Sequence, residues 1–121
     1  MPGSASGSVM VKMDPMLGAI LVSADGRTLY QFEKDQGTTS ACTGACANVW
    51  PALMVGGAPQ AGPGVNAAQL STAHGQVSFA GHLLYFFSGD HAPGDVNGIG
   101  IPDWSAVSPA GARVSSMPDH T

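Results

Sequence analysis

The amino-acid sequence predicts an all-β domain built from two similar halves, and three observations favour that fold class. Residues 26–35 recur as residues 81–90, with Gly, Leu, Tyr, Phe and Asp at matching places and a constant offset of 55 residues. The 17 glycines and nine prolines indicate many turns. Asp25-Gly26, between two short apolar runs, is a strong hairpin signal. We therefore expect one small domain of two pseudo-equivalent β-hairpin repeats, forming an antiparallel sheet or sandwich with long loops.

Composition limits the domain organisation. The 121 residues, 44% of them hydrophobic, suffice for one domain with a modest core. Residues 1–8 are rich in Gly and Ser and are predicted to be a flexible linker, without the apolar stretch of a signal peptide. The duplicated β domain is predicted over residues 9–114, with repeat 1 at about 18–55 and repeat 2 at about 73–110. Residues 115–121 are expected to form a loose tail.

The charge and the hydropathy of the sequence argue against a nucleic-acid partner and against a membrane-spanning segment. Four basic and eight acidic residues give a net charge of −4, with neither a basic footprint for nucleic acid nor a polybasic patch for a membrane surface. No run approaches the roughly 20 apolar residues that a membrane-spanning helix requires. The sequence therefore predicts no nucleic-acid partner and no transmembrane segment.

The first hairpin is predicted to pair residues 18–22 with residues 28–32 around a two-residue turn. In that register Leu21 lies opposite Tyr30, and the aromatic side chains face a core by the two-residue period of a strand. The second copy is expected to repeat the hairpin, with a turn at Ala80-Gly81.

Six of the eight aromatic residues fall in matched pairs. These are Tyr30 and Tyr85, Phe32 and Phe87, and Trp50 and Trp104. They are predicted to form one shared core between the two hairpins, closed by the tryptophans. The alternative is a surface on which a ligand stacks.

Asp35 and Asp90 end the two copies, and both are followed by loops rich in turn-forming residues. An aspartate in this place commonly accepts hydrogen bonds from backbone N–H groups of the following turn, so both are predicted to hold turns. The rival role is metal binding by Asp90, Asp95 and Asn97 on one glycine-rich loop. That loop lacks the spacing and closing glutamate of an EF-hand, which disfavours calcium.

Cys42 and Cys46 are predicted to form a structural disulfide. Two cysteines are too few for a four-cysteine zinc site, and their spacing is not the C-x2-C of thioredoxin-type motifs. Because residues four apart in a regular helix are too widely spaced for a disulfide, the bridge needs a distorted turn, for which Gly44 is suited. A disulfide implies an oxidising compartment and hence export. Thiol–disulfide exchange is the redox alternative.

A soft-metal site is a second functional hypothesis. Thioether and imidazole ligands favour copper, and the sequence offers both near its two ends: Met10, Met13, Met16, Met117 and His120. The competing interpretation is that these methionines fill core gaps or are exposed, because Met10 and Met13 point to opposite faces of a strand.

Catalytic motifs are absent from the sequence. The four histidines occur with neither a nucleophile elbow nor an H-E-x-x-H motif, so no enzyme activity is predicted. Two further elements are predicted, a helical turn at residues 66–70 and a last strand within residues 101–107.

Four motifs in order carry a resemblance to a known family: G-R-T-L-Y-x-F-x-x-D, S-x-C-x-G-x-C-x-x-x-W-P, Q-V-S-F-x-G-x-L-L-Y-x-F-x-x-D and P-G-D-V-N-G-x-G. Over residues 18–111 the chain resembles the bacterial secreted repeat of unknown function, also described as predicted lipoproteins with a Y-x4-D repeat. The resemblance implies a secreted or lipid-anchored extracytoplasmic protein. We therefore expect a noncatalytic module that presents loops, such as residues 90–100, to a cell-envelope partner.

Overall fold

The computed structural model describes most of the chain: residues 8–15, 17–23, 26–35, 41–42, 44–54, 60–62, 64–73, 75–90, 92, 94–98, 104–109, 111 and 113–114. In chain order its elements are β1 (Ser8–Asp14), β2 (Gly18–Ser23), β3 (Tyr30–Phe32), α1 (Ala45–Val49), β4 (Gln60–Ala61), a 3₁₀ helix (Ala67–Gln69), β5 (Leu70–Ala73), β6 (Gln76–Phe79), β7 (His82–Leu83), β8 (Trp104–Val107) and β9 (Arg113–Val114). Strands dominate and the one α-helix has five residues. The predicted all-β class is confirmed.

The described strands form three small sheets of three strands each. The strand orders are β2-β1-β4, β3-β8-β9 and β5-β6-β7. All pairs are antiparallel except β1 with β4, which is parallel. Isolated bridges link the sheets: Val22 of β2 pairs with Thr28, shortly before β3, and Tyr30 of β3 pairs with Tyr85, shortly after β7. The aromatic residues lie where the sheets meet.

Strand β1 is the partner of β2 that the sequence did not reveal. The two strands pair over six residues, from Val9 opposite Ser23 to Asp14 opposite Gly18. At the turn Asp14 Oδ1 accepts a hydrogen bond from Leu17 N at 3.0 Å, and Gly18 has φ +81°, a left-handed conformation that glycine adopts without strain.

The predicted pairing of Leu21 with Tyr30 is wrong by one residue. Ser23 N donates to Arg27 O at 2.8 Å, so the loop contains three residues instead of two. The next bond, from Leu29 N to Leu21 O at 3.1 Å, places Leu29 beside Leu21. A one-residue slip turns each side chain to the other face of the strand. Tyr30 therefore lies on the face opposite to Leu29 and away from Leu21.

The second predicted hairpin turn is confirmed. Ser78 pairs with Leu83 and Phe79 with His82, which leaves Ala80 and Gly81 as a two-residue loop. Both loop residues have positive φ, 54° and 85°, as the type I′ turn that fits the strand twist requires.

Among the described residues, three clusters of buried apolar side chains form the interior. The first, between the sheets, contains Val9, Leu21, Leu29, Leu53, Val77, Phe79, Leu84 and Val107. The second is aromatic and contains Tyr30, Cys42, Trp50, Leu83, Tyr85 and Trp104. The third contains Leu17, Ile20, Val22 and Ala106 and packs β2 against β8. The aromatic cluster is thus part of a larger interior and does not form the whole core.

Two further predictions are confirmed and others fall outside the described residues. The 3₁₀ helix lies at the predicted helical turn, and its N-cap Asn66 accepts from Ala68 N at 2.9 Å. β8 lies where a last strand was predicted, but it is not the last, because β9 follows it and pairs with it. Of the predicted linker, residues 1–7 lie outside the described residues and Ser8 begins β1, and the predicted tail, residues 115–121, also lies outside the described residues.

Replacing Gly81 by Ala is expected to lower the free energy of unfolding by about 1–2 kcal/mol, because an L-residue is strained in the left-handed region. A Cβ at this position would meet no atom within 4 Å, so the loss reports backbone conformation and not a clash. Gly81→Asn is the control and should lose less, since Asn tolerates this conformation. Urea denaturation measures both, and an equal loss in the two variants would contradict the assignment.

Candidate functional site

Four aromatic rings are stacked in a column at the junction of the sheets. The order is Phe32, Trp104, Trp50, Phe87, and we call this column the aromatic stack. Its successive ring centroids are separated by 4.3, 3.7 and 4.4 Å. The two tryptophans are nearly parallel, at 3°. They are also buried, at 4% and 5% exposed, whereas the phenylalanines at the two ends are half-buried. The interior of the column is thus dry and its ends reach the surface.

Backbone pairing sets the order of the rings. Phe32 lies opposite Trp104 in the β3–β8 ladder, which brings these two rings together. At the other end Ser88 N donates to Val49 O at 2.8 Å, and this bond runs between the residues that precede Trp50 and follow Phe87. The contact between Trp104 and Trp50 therefore joins the β3–β8 pair to the pair of segments that contain Trp50 and Phe87.

The two tyrosines meet the stack edge-on. Tyr30 contacts Trp50 at 5.3 Å between centroids with planes at 78°, and Tyr85 contacts Trp104 at 5.1 Å and 88°. Their backbones bond each other in both directions, Tyr30 N to Tyr85 O at 2.8 Å and Tyr85 N to Tyr30 O at 2.9 Å. Equivalent positions of the two sequence copies thus make equivalent contacts.

Each tyrosine hydroxyl donates to the aspartate of the other copy. Tyr30 Oη donates to Asp90 Oδ2 at 2.7 Å, and Tyr85 Oη donates to Asp35 Oδ2 at 2.7 Å. We call these two pairs the Tyr–Asp clamps. Sequence reasoning missed the tyrosine as a partner, although the equal Tyr-x4-Asp spacing in both copies was the available signal.

The second carboxylate oxygen of each aspartate holds the following turn. Asp90 Oδ1 accepts from Asn97 N at 2.8 Å, and Asp35 Oδ1 accepts from Ala41 N at 2.7 Å. This is the turn-holding contact that the sequence predicted for both residues. The two sites differ in exposure, since Asp90 is 2% exposed and Asp35 is half-buried.

Burial dominates the electrostatics of the Tyr30 hydroxyl. It raises the pKa of Tyr30 far above the usual 10.0, and the hydrogen bond to Asp90 raises it further. The backbone N–H of Gly98, which donates to Tyr30 Oη at 3.1 Å, acts in the opposite direction. Tyr30 is therefore protonated at physiological pH and serves as a hydrogen-bond donor.

The surroundings of the Asp90 carboxyl also shift its pKa. Burial raises its pKa above the usual 3.8, and the charge of Asp95 adds to that effect. The hydrogen bonds from Tyr30 and Asn97 and the charge of Arg27 lower it, but they do not offset burial.

The loop after Asp90 is fixed to the first hairpin by Arg27 and Thr28. Arg27 Nη2 donates to Asp90 O at 2.6 Å, and Thr28 Oγ1 donates to Asp95 O at 2.7 Å. Gly98 closes the described part of the loop against the aromatic rings, where a Cβ would come within 2.9 Å of both Tyr30 and Trp50. Sequence reasoning identified neither Arg27 nor Thr28.

The side chains of the candidate metal ligands Asp95 and Asn97 are hydrogen-bonded to backbone groups of the protein. Asp95 Oδ2 accepts from Ala92 N at 3.1 Å, and Asn97 Nδ2 donates to Gly89 O at 3.0 Å. Over the described part of the chain, no group of three His, Cys, Asp or Glu side chains converges on a point where a metal ion could bind. Calcium binding by Asp90, Asp95 and Asn97 therefore gains no support from the arrangement of these side chains.

The predicted disulfide is present. Cys42 and Cys46 are joined with Cα atoms 5.1 Å apart. Cys46 lies in α1, whereas Cys42 precedes the helix, and Gly44 between them has φ +61°. Cys42 is buried in the aromatic cluster, so the bridge ties the start of α1 to the site that contains Trp50.

The copper hypothesis stays a prediction. Met10 packs against the third apolar cluster, whereas Met13, three positions further along β1, is 69% exposed. Residues at this odd spacing lie on opposite faces of the strand. Met16, Met117 and His120 lie outside the described residues.

These features define a small disulfide-bonded β module with a dry aromatic centre. Residues 12–54 match the model of a family described as a secreted repeat of unknown function. That description indicates an extracytoplasmic location, in agreement with the disulfide. No curated protein and no solved structure matches the chain. Within the described residues, no helix has the length and apolar character needed to cross a membrane.

Removing the Tyr30 hydroxyl is expected to cost more than removing the Tyr85 hydroxyl. Tyr30→Phe leaves a buried carboxylate without one of its donors, a loss of about 1–3 kcal/mol. Tyr85→Phe is the matched variant, and because Asp35 is half-buried, water can replace the lost donor. The free energy of unfolding in urea decides between them, and equal losses would show that burial of the carboxylate is not what matters.

The raised pKa of Asp90 predicts a pH dependence of stability. The folded protein binds this proton at pH values where the unfolded chain has released it. The stabilisation is therefore complete below the usual pKa of 3.8 and is lost as pH rises through the folded-state pKa. The Asp90→Asn variant has no group that titrates at this position. Denaturation across that pH range should show wild type losing unfolding free energy relative to the variant, and a constant difference would refute the shift.

Proposed function

We propose that this protein is a noncatalytic extracytoplasmic module, secreted or lipid-anchored, that binds a component of the cell envelope through the loop of residues 90–98. The observation that carries the proposal is the attachment of this loop to the first hairpin. The loop is bonded to Arg27 and Thr28 and to the hydroxyl of Tyr30. The match to a secreted repeat family supports the location.

A loop held in this way loses little conformational entropy when it binds, which favours recognition. Of the residues to which the loop is bonded, Thr28 and Tyr30 are buried, and Arg27 is half-buried with its carbonyl oxygen accepting from Ser23 N. Its described members Ala92 and Asn97 are exposed, and Asp95 is half-buried. The loop therefore combines an accessible surface with a fixed backbone, which is the usual arrangement for binding loops on a rigid β scaffold.

The absence of enzyme activity is proposed from the sequence motifs. Of the four histidines, His82 lies in the described part of the chain, and it is exposed on the short edge strand β7. The Cys42–Cys46 pair is bonded and packed in the aromatic cluster. Both features are consistent with structural roles.

The test is affinity capture from a solubilised cell-envelope fraction. Asp95→Ala removes the carboxylate that accepts from Ala92 N and is expected to reduce capture of the specific partner at least about tenfold, equivalent to about 1.4 kcal/mol. Asn66→Ala is the matched control, because it removes a similar side-chain-to-backbone bond from an exposed site at the 3₁₀ helix. It should leave capture unchanged.

Identical capture by Asp95→Ala and wild type would remove the loop from the binding surface. Loss of capture by Asn66→Ala as well would show that general destabilisation is responsible. Turnover in a screen of hydrolase and oxidoreductase substrates would overturn the noncatalytic class.

A further inference from the structure

The aromatic site contains every tryptophan and tyrosine of the chain, two of each. We propose that the aromatic stack and the two Tyr–Asp clamps form a relay for one-electron oxidation. An oxygen-centred radical takes an electron from the Trp50–Trp104 pair, and a clamped tyrosine replaces that electron while passing its proton to its aspartate. This function goes beyond partner binding and does not depend on it.

The tryptophan pair is suited to holding a positive charge. The two indoles overlap at 3.7 Å with planes at 3°, so an electron removed from one leaves a charge that both rings share. Phe32 and Phe87 cover the outer faces at 4.3 and 4.4 Å. These phenylalanines are not themselves oxidised easily, and they limit access of water to the charged pair.

The tyrosines are placed to reduce the oxidised pair. Tyr30 contacts Trp50 and Tyr85 contacts Trp104, both edge-on and within 5.3 Å between centroids. Electron transfer over van der Waals contact needs no intermediate group. The two halves therefore offer two parallel routes from one tryptophan pair.

Oxidation of a tyrosine requires loss of its phenolic proton, because the phenol radical cation is a strong acid. Each hydroxyl donates to a carboxylate at 2.7 Å, so the acceptor is already in place. Burial raises the pKa of Asp90, which makes it a better base than a solvated carboxylate. A backbone carbonyl could satisfy a buried hydroxyl at a lower desolvation cost, but it could not take the proton.

The step balances in charge and atoms. The tryptophan radical cation, the neutral Tyr30 phenol and the Asp90 carboxylate become a neutral tryptophan, a neutral tyrosyl radical and a neutral carboxylic acid. The oxidant, a peroxyl-type radical, gains the electron and a proton from water to become a hydroperoxide. A small phenol or ascorbate-type reductant supplies the electron that returns the tyrosyl radical to tyrosine, and the aspartic acid returns the proton.

Pulse radiolysis of the intact protein with azide radicals in oxygen-free buffer tests the relay. Azide radicals oxidise tryptophan, and the tryptophan and tyrosyl radicals have distinct absorption spectra. We expect the tryptophan signal to convert into tyrosyl signal with a first-order rate constant that is independent of protein concentration. Decay of the tryptophan signal without tyrosyl formation, or a rate proportional to protein concentration, would overturn the proposal.

Variants then show which tyrosine and which aspartate take part in the relay. Tyr30→Phe and Tyr85→Phe should each retain conversion through the other tyrosine. With Tyr85→Phe as the background, adding Asp90→Asn should slow conversion roughly 100-fold or more, the usual contribution of a positioned proton acceptor. An unchanged rate in that double variant would remove Asp90 from the relay. Near-ultraviolet circular dichroism checks that each variant keeps its aromatic packing, and the wild-type measurement stands whether or not a variant folds.

Discussion

The reciprocal backbone pairing of Tyr30 and Tyr85 is the interaction on which the rest of the structure depends. Two hydrogen bonds, at 2.8 and 2.9 Å, join the strand β3 of one sheet to the segment that follows β7 of another. With the backbones fixed, each tyrosine ring meets the tryptophan of its own half, and each hydroxyl donates to the aspartate of the other half. The pairing of these two tyrosines thereby fixes the two tyrosine rings against the four rings of the aromatic stack, and it positions the loops that follow Asp35 and Asp90.

Equivalent contacts do not create equivalent environments. Asp90 is almost completely buried, and its loop is fastened by Arg27 and Thr28, whereas Asp35 is half-buried. The same Tyr–Asp geometry is therefore a costly, tightly held contact in one half and a partly hydrated one in the other. This asymmetry favours the loop after Asp90 as the binding surface, because a rigid loop requires less ordering when a partner binds.

Close packing around the stack limits which residues can surround it. Gly98 approaches the rings of Tyr30 and Trp50 so closely that a Cβ would overlap both. The disulfide adds a second constraint, since buried Cys42 anchors the segment that leads through α1 to Trp50. A dry stack with half-exposed ends results, and the same burial that stabilises the domain keeps the tryptophan pair apart from water.

The sequence by itself determined the strand-rich fold class, the Cys42–Cys46 bridge and the turn at Ala80-Gly81, because each depends on local chemistry: composition, spacing and backbone conformation. It also singled out the paired aromatics and aspartates through their repetition. Tertiary structure decided which partners they meet. The pairing of β2 with β1, the one-residue shift that separates Tyr30 from Leu21, and the crossing of each tyrosine to the other copy's aspartate all join residues distant in sequence or alternative in register. Such choices follow from the combined burial and hydrogen bonding of the whole domain, which no local pattern contains.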